Sequence, residues 1–252
     1  MSLQACADIV ARGDPDRFAA AMAAPVEARR VLFPIYAFNV EVTRAPWVAS
    51  EPMIGEMRLQ WWREALEEIR DRRPVRKHDV TAPLAEVLDA EGAEDLDRLI
   101  AARRWDLFTE AFEDAKHFDE YLGRTGGTLM WTAARLLGAR PEASGEVRAF
   151  GRATALARFL QAVPELEARG RIPLIDGRPE AVAALARAAL KATPGKAGLR
   201  KVLPRDARPA LLEGWMTAPL LLQAIRQPSR VAEGRLGVSE FRKRVSLLLT
   251  AL

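Results

Sequence analysis

The spacing of the apolar residues constrains this chain more than any other feature. Between 53 and 69, Ile54, Met57, Trp61, Trp62, Ala65, Leu66 and Ile69 recur every few positions. That spacing makes one stripe along an α-helix of about 3.6 residues per turn. The apolar–polar alternation that marks a half-buried strand is missing, and alanine, the best helix former, is abundant. With 252 residues, 49% apolar and 29% charged, the chain can bury a large core, which excludes disordered and collagen-like classes. The expected fold is all-α: a single domain spanning residues 1–252, a bundle of about nine or ten helices.

Local signals place the helices. Ser50, Glu51 and Pro52 offer an N-cap and a first-turn proline for the 53–69 stripe, which ends near Pro74. A second stripe covers 96–115 through Leu96, Leu99, Ile100, Leu107, Phe108 and Ala111. Further helices are expected over 117–137, 145–163 (ended by Pro164), 179–192, 207–226 and 239–252. Pro34 should break or kink the helix over 25–44. The segments 72–81, 169–178 and 193–205 read as loops, none long enough to be a domain linker.

Charge excludes more than it suggests. Net charge is +4, and six of the 38 basic residues are lysine. The arginines are interleaved with acids, the pattern of solvated helix faces, so no nucleic-acid partner is expected. One cysteine, Cys6, cannot close an internal disulfide, which fits a reducing compartment. No apolar run reaches the roughly 18 residues of a membrane span, and the N-terminus shows no export pattern. The expected location is the cytoplasm, with peripheral contact at the inner membrane.

Candidate chemistry is sparse. His78 and His117 stand alone, so no zinc site is expected. There is no glycine-rich phosphate loop and no nucleophile elbow. Glu64/Glu68, Glu67/Asp71, Glu91/Asp95 and Glu110/Asp114 share helix faces, as Mg²⁺ ligands would. They lie beside or opposite the apolar stripes and read as solvated surface.

Three stretches carry a resemblance. The first is Leu32-Phe-Pro-Ile-Tyr-Ala-Phe-Asn-Val-Glu-Val-Thr-Arg44, followed by Ile54-Gly-Glu-Met-Arg-Leu-Gln-Trp-Trp-Arg-Glu-Ala-Leu66. The second runs from Tyr121 to Gly138, and the third from Gly151 to Leu174, closing on Gly170-Arg-Ile-Pro-Leu174. In this order they resemble the squalene/phytoene synthase family over roughly residues 15–175. The resemblance implies the isoprenoid synthase fold around a central apolar cavity. It also implies a transferase that condenses prenyl diphosphates, with Mg²⁺ held by two Asp-x-x-x-Asp motifs. Hard cations on oxygen ligands neutralise the departing diphosphate.

The chain departs from that pattern where the metal should bind. Alignment on Tyr36-Ala-Phe38 puts Thr43, Arg44 and Trp47 at the first motif. Alignment on Gly170-Arg-Ile172 puts Ala162 and Leu166 at the second. The nearest acids are Glu41, Glu165 and Glu167. This loss is similar to a degenerate branch of the family that includes the mitochondrial complex I assembly factor and its proteobacterial relatives. Phe38-Asn-Val-Glu41, the Ile54–Trp62 run and Pro164 match it. That branch implies a non-catalytic pseudoenzyme with no metal and no cofactor, acting in respiratory complex assembly at the membrane face, with a respiratory complex subunit as partner. The alternative is an active prenyl transferase whose displaced acids hold Mg²⁺. A third reading is a partner-binding scaffold with a filled interior.

For a prenyl-lipid or isoprenoid ligand, the expected cavity residues are Tyr36, Phe38, Asn39, Gly126, Gly127, Met130, Arg158 and Gln161. Aromatics such as Tyr36 and Phe38 are more often plain core than cavity lining. The paired glycines allow either a close helix approach or a kink beside the cavity. Arg158 and Gln161 could hold an anionic head group or face solvent. At the C-terminus, Arg242, Lys243 and Arg244 lead into apolar residues, a pattern for anionic lipid or for docking on the core.

Overall fold

A computed structural model describes residues 2–48 and 51–251. The N-terminal layer is α1 (Leu3–Gly13), α2 (Pro15–Ala23) and α3 (Val26–Val48). Asp14 joins the first two: its side chain accepts the Arg17 amide at 2.9 Å, with Pro15 in the first turn. Next come α4 (Pro52–Arg70), α5 (Thr81–Val87), α6 (Ala90–Arg103), α7 (Ala115–Leu122) and α8 (Thr128–Leu136). Then follow α9 (Ser144–Ala168), α10 (Pro179–Ala192), α11 (Lys196–Val202), α12 (Thr217–Arg226), α13 (Ser229–Ala232) and α14 (Glu240–Ala251). A 3₁₀ segment, Arg205–Gly214, links α11 to α12. No strand occurs among the described residues.

The α4 stripe lies as its periodicity predicts: Leu59, Trp62, Ala65, Leu66 and Ile69 are buried. Its N-cap is Glu51, which makes no side-chain capping bond; Ser50 lies outside the described residues. Pro34 does not break α3, which runs unbroken through both Pro34 and Pro46. Pro164 likewise sits inside α9, where the Gly234 turn after α13 packs against its ring. Tertiary contact offsets the lost backbone hydrogen bond at each site.

Three expected helices are interrupted; the one over 207–226 is 3₁₀ as far as Gly214 and α-helical only from Thr217. The 96–115 stripe ends at Arg103, and Arg104–Leu107 tightens into a 3₁₀ turn. Beyond it Phe112 returns to stack on Trp105, with ring centroids 3.8 Å apart. The 117–137 helix contains a π-helical turn at Gly123–Gly127. This turn presses on α9. A Cβ on Gly126 would meet the Ala155 Cβ at 2.6 Å, and one on Gly151 would meet the Gly126 carbonyl oxygen at 2.6 Å. The glycines therefore let two helix backbones touch. Helix α11 forms inside the 193–205 segment read as a loop, and α1, α2 and α5 are helices that the expected set did not include.

Candidate functional site

The segments aligned with the two metal motifs lie on α3 and α9, and an intrachain contact joins them. The Arg169 guanidinium, just past α9, sits 4.2 Å from the ring centroid of Trp47 near the end of α3. Arg169 also pairs with Glu165 at 2.9 Å, so one of the displaced acids is already engaged. Glu165 and Glu167 are exposed on α9, while Glu41 is half-buried on α3. Thr43 is half-buried and Arg44 exposed; Ala162 is half-buried and Leu166 buried. No group of three or more His, Cys, Asp or Glu side chains that could hold a metal occurs among the described residues. This donor set does not fit Mg²⁺, which wants several oxygen ligands converging in near-octahedral geometry.

The Gly170-Arg-Ile172 stretch is anchored in the same way. Arg171 lies 4.3 Å from the Trp105 ring centroid and donates to the backbone carbonyls of Asp106 (2.8 Å) and Trp105 (3.0 Å). Beside it, Arg103 donates to Tyr121 Oη at 2.7 Å, and Tyr121 donates to Asp106 at 2.8 Å.

One turn before Ala162, Arg158 enters a buried ion network. Asp14 accepts from Arg158 (2.8 Å) and from Arg17 (2.7 Å). Arg17 turns its Nε to Glu213 at 2.5 Å. Arg17 is 8% exposed and Glu213 2%. The Arg17 guanidinium also sits 5.7 Å from the Tyr36 ring centroid. Two carboxylates and two guanidiniums thus balance in the interior, which buried charges require. Burial tends to raise the Asp14 pKa, but Arg158 and Arg17 overcome it and hold the carboxyl down at about 2. Burial, reinforced by Glu213, pushes the Tyr36 phenol well up. The Tyr36 hydroxyl and Glu213 Oε1 are buried and make no hydrogen bond within the chain.

Of the residues named for a cavity, several lie in the packed interior. Tyr36, Phe38 and Met130 have no accessible surface, so no void that admits water touches them. Phe38 packs edge-on against Trp62, 5.4 Å between centroids, and Trp62 meets Trp61 edge-on in turn. Asn39 is buried. Gly126 and Gly127 face α9 rather than a cavity. Arg158 serves Asp14, and Gln161 donates to the Leu236 carbonyl at 3.1 Å. None of these eight lines the cavity beside α11 and α12 or the one between α7, α9 and α10. The i,i+4 acids are engaged too: Arg76 bridges Glu64 (3.0 Å) and Glu68 (2.8 Å), and Asp95 is buried against Arg98 and Arg148.

Asp14, Arg17 and Glu213 carry no motif that singles them out. An acid inside the apolar run Leu211–Trp215 was the one available hint of a buried charge.

An all-helical chain in which the ends of α3 and α9 meet through Trp47 and Arg169 has the isoprenoid synthase architecture. It superposes on a dehydrosqualene synthase solved in complex with ligand, with a TM-score of 0.80 at 17% identity, covering 98% of this chain and 94% of that one. YisP from Bacillus subtilis superposes with a TM-score of 0.59 at 16% identity, with the same coverage. At such identities the likeness speaks to the fold. The sequence model of the squalene/phytoene synthase family matches residues 10–174, and the chain belongs to that family.

Within it, the chain is similar to the NADH dehydrogenase (ubiquinone) complex I assembly factor 6 homolog of Drosophila melanogaster. Identity is 29% over 178 residues, covering 68% of this chain and 53% of that protein. Assembly factor 6 of Mus musculus is 24% identical over 180 residues, covering 66% and 51%. The Homo sapiens protein is 23% identical with the same coverage. The chain spans about half the length of these curated relatives.

Proposed function

We propose that this protein is a non-catalytic member of the squalene/phytoene synthase family that assists assembly of a respiratory NADH dehydrogenase at the membrane face. One observation carries the reading: the positions aligned with the two metal motifs, Thr43, Arg44, Trp47, Ala162 and Leu166, hold no carboxylate, and Trp47 packs against Arg169 instead. Diphosphate chemistry needs cations gathered by carboxylates, and the lack of them at these five positions supports a non-catalytic role. The similarity to proteins named complex I assembly factor 6 supports the assembly role and a respiratory subunit as partner.

The C-terminal helix supports the location. No helix among the described residues is long and apolar enough to cross a membrane. On α14, Phe241, Val245, Leu248 and Leu249 are exposed along one face. Arg242 and Arg244, also exposed, flank that face on either side. This pattern suits a helix lying in the plane of an anionic bilayer.

Two measurements test the proposal. Incubation with farnesyl diphosphate and Mg²⁺ should release pyrophosphate no faster than buffer; robust metal-dependent release would overturn it. Deletion of the gene in the source organism should lower the amount of assembled NADH dehydrogenase on native gels, with restoration by the wild-type copy. Full assembly in the deletion strain would refute the assembly role.

A further inference from the structure

The largest described cavity, about 730 Å³, lies away from the aligned motif positions on α3 and α9. Its walls come from α10, α11, the 3₁₀ segment, α12 and the inner face of α14. All but three of its lining residues follow residue 174, where the family match ends. Phe150, Leu190, Leu199, Leu212 and Trp215 make the apolar part. Arg200, Arg205 and Arg208 supply all of its charge, with no acidic residue in the lining.

Many arginines of this chain meet carboxylates, as Arg76 does twice. None of these three forms an ion pair among the described residues. Arg208 instead donates to the carbonyls of Arg200 (2.8 Å) and Leu203 (3.3 Å), which ties the rim together. Arg200 and Arg205 are exposed at its edge. Guanidiniums match the paired oxygens of a carboxylate or phosphate. The volume lies within the roughly 300–1,000 Å³ of small-molecule sites, and a mostly apolar wall with few placed charges is their usual lining.

We propose that this pocket binds an amphiphile with one apolar chain and a carboxylate or phosphate head, the chain against Trp215 and Leu212 and the head at Arg200, Arg205 and Arg208. The site shares no lining residue with the aligned motif positions on α3 and α9 and stands whether or not the protein assists assembly. Because α14 forms one wall and turns its apolar face outward, the pocket sits beside the surface that would meet lipid.

Titration of the full chain with dansyl-labelled undecanoic acid tests this. Saturable fluorescence enhancement is expected, weakened at least tenfold by the double variant Arg200→Glu/Arg205→Glu and by replacing the acid with its methyl ester. Ala218→Trp, at an exposed lining position, should abolish the signal while the circular dichroism spectrum stays unchanged. Displacement by oleate alone would mark a free fatty acid as the source of the head group. Displacement also by phosphatidylcholine vesicles containing phosphatidic acid would mark a membrane lipid. No saturable binding, equal binding of the ester, or unchanged affinity in the charge-reversal variant would overturn the proposal. So would a dimer, detected by light scattering, that excludes the probe.

Discussion

The guanidinium of Arg169 sits over Trp47, 4.2 Å from its ring centroid, and ties the end of α3 to the end of α9. A pair of this kind contributes about 0.5–2 kcal/mol, more as it is desolvated. Trp47→Ala should lower stability by about 1 kcal/mol in urea denaturation. Arg169→Lys, which keeps the charge, should lose less. An unchanged midpoint for Trp47→Ala would mean the two segments are held by other contacts.

The Arg17 network should be far more sensitive. Arg17→Met leaves Asp14 and Glu213 buried without their shared partner, and such a break costs about 3–5 kcal/mol. Chemical denaturation should show that loss with the m-value of the wild type. Removing charge at both ends, in Arg17→Met combined with Glu213→Leu, should recover part of it, because the remaining buried negative charge is reduced.

Asp14 gives that network a pH signature. Against the pull of burial, Arg158 and Arg17 hold its carboxyl down at about 2 in the fold, below the ordinary aspartate value of 3.8. A lowered carboxyl pKa stabilises the fold above the unfolded value and is lost as pH falls through the folded value. The contribution, about 2 kcal/mol, should therefore fade as pH drops from about 4 to about 2. Comparing wild type with Asp14→Asn isolates it: the difference in stability should shrink across that window. A constant difference would remove Asp14 from the ledger.

Gly126 and Gly151 should reject a methyl group. Their added Cβ atoms would meet backbone oxygens at 2.8 Å and 2.6 Å respectively. Gly151→Ala should therefore destabilise by about 1–3 kcal/mol through overpacking. Gly145, with nothing within 4 Å of an added Cβ, is the control. There alanine should be neutral or mildly stabilising in thermal melts, since glycine in a helix costs about 1 kcal/mol.

Cys6 should be inert in the native state. It is fully buried, and burial together with the nearby Asp79 charge pushes the thiol up to about 11. Alkylation by iodoacetamide at about pH 8 should be slow until the chain is denatured, since the thiolate is the reacting form. Fast labelling of folded protein would show that α1 opens locally.

The sequence by itself determined the helical class, because stripes such as Leu59–Ile69 depend only on local periodicity. It also determined that residues 43, 44, 47, 162 and 166 carry no acid, because side-chain identity is written in the chain. What it left to the tertiary structure was every outcome set by distant partners. Arg17 and Glu213 are 196 positions apart, and no local pattern pairs them. Pro34 and Pro164 are helix breakers by propensity, yet each stays helical because packing from other elements outweighs one lost hydrogen bond. The 96–115 stripe has helical spacing throughout. It ends at Arg103 because stacking Phe112 on Trp105 and anchoring Arg171 there favours a turn over further helix. Tyr36, Phe38 and Met130 look alike as core or as ligand wall in sequence, since both uses ask for apolar bulk; only the absence of any accessible surface on them decided for core.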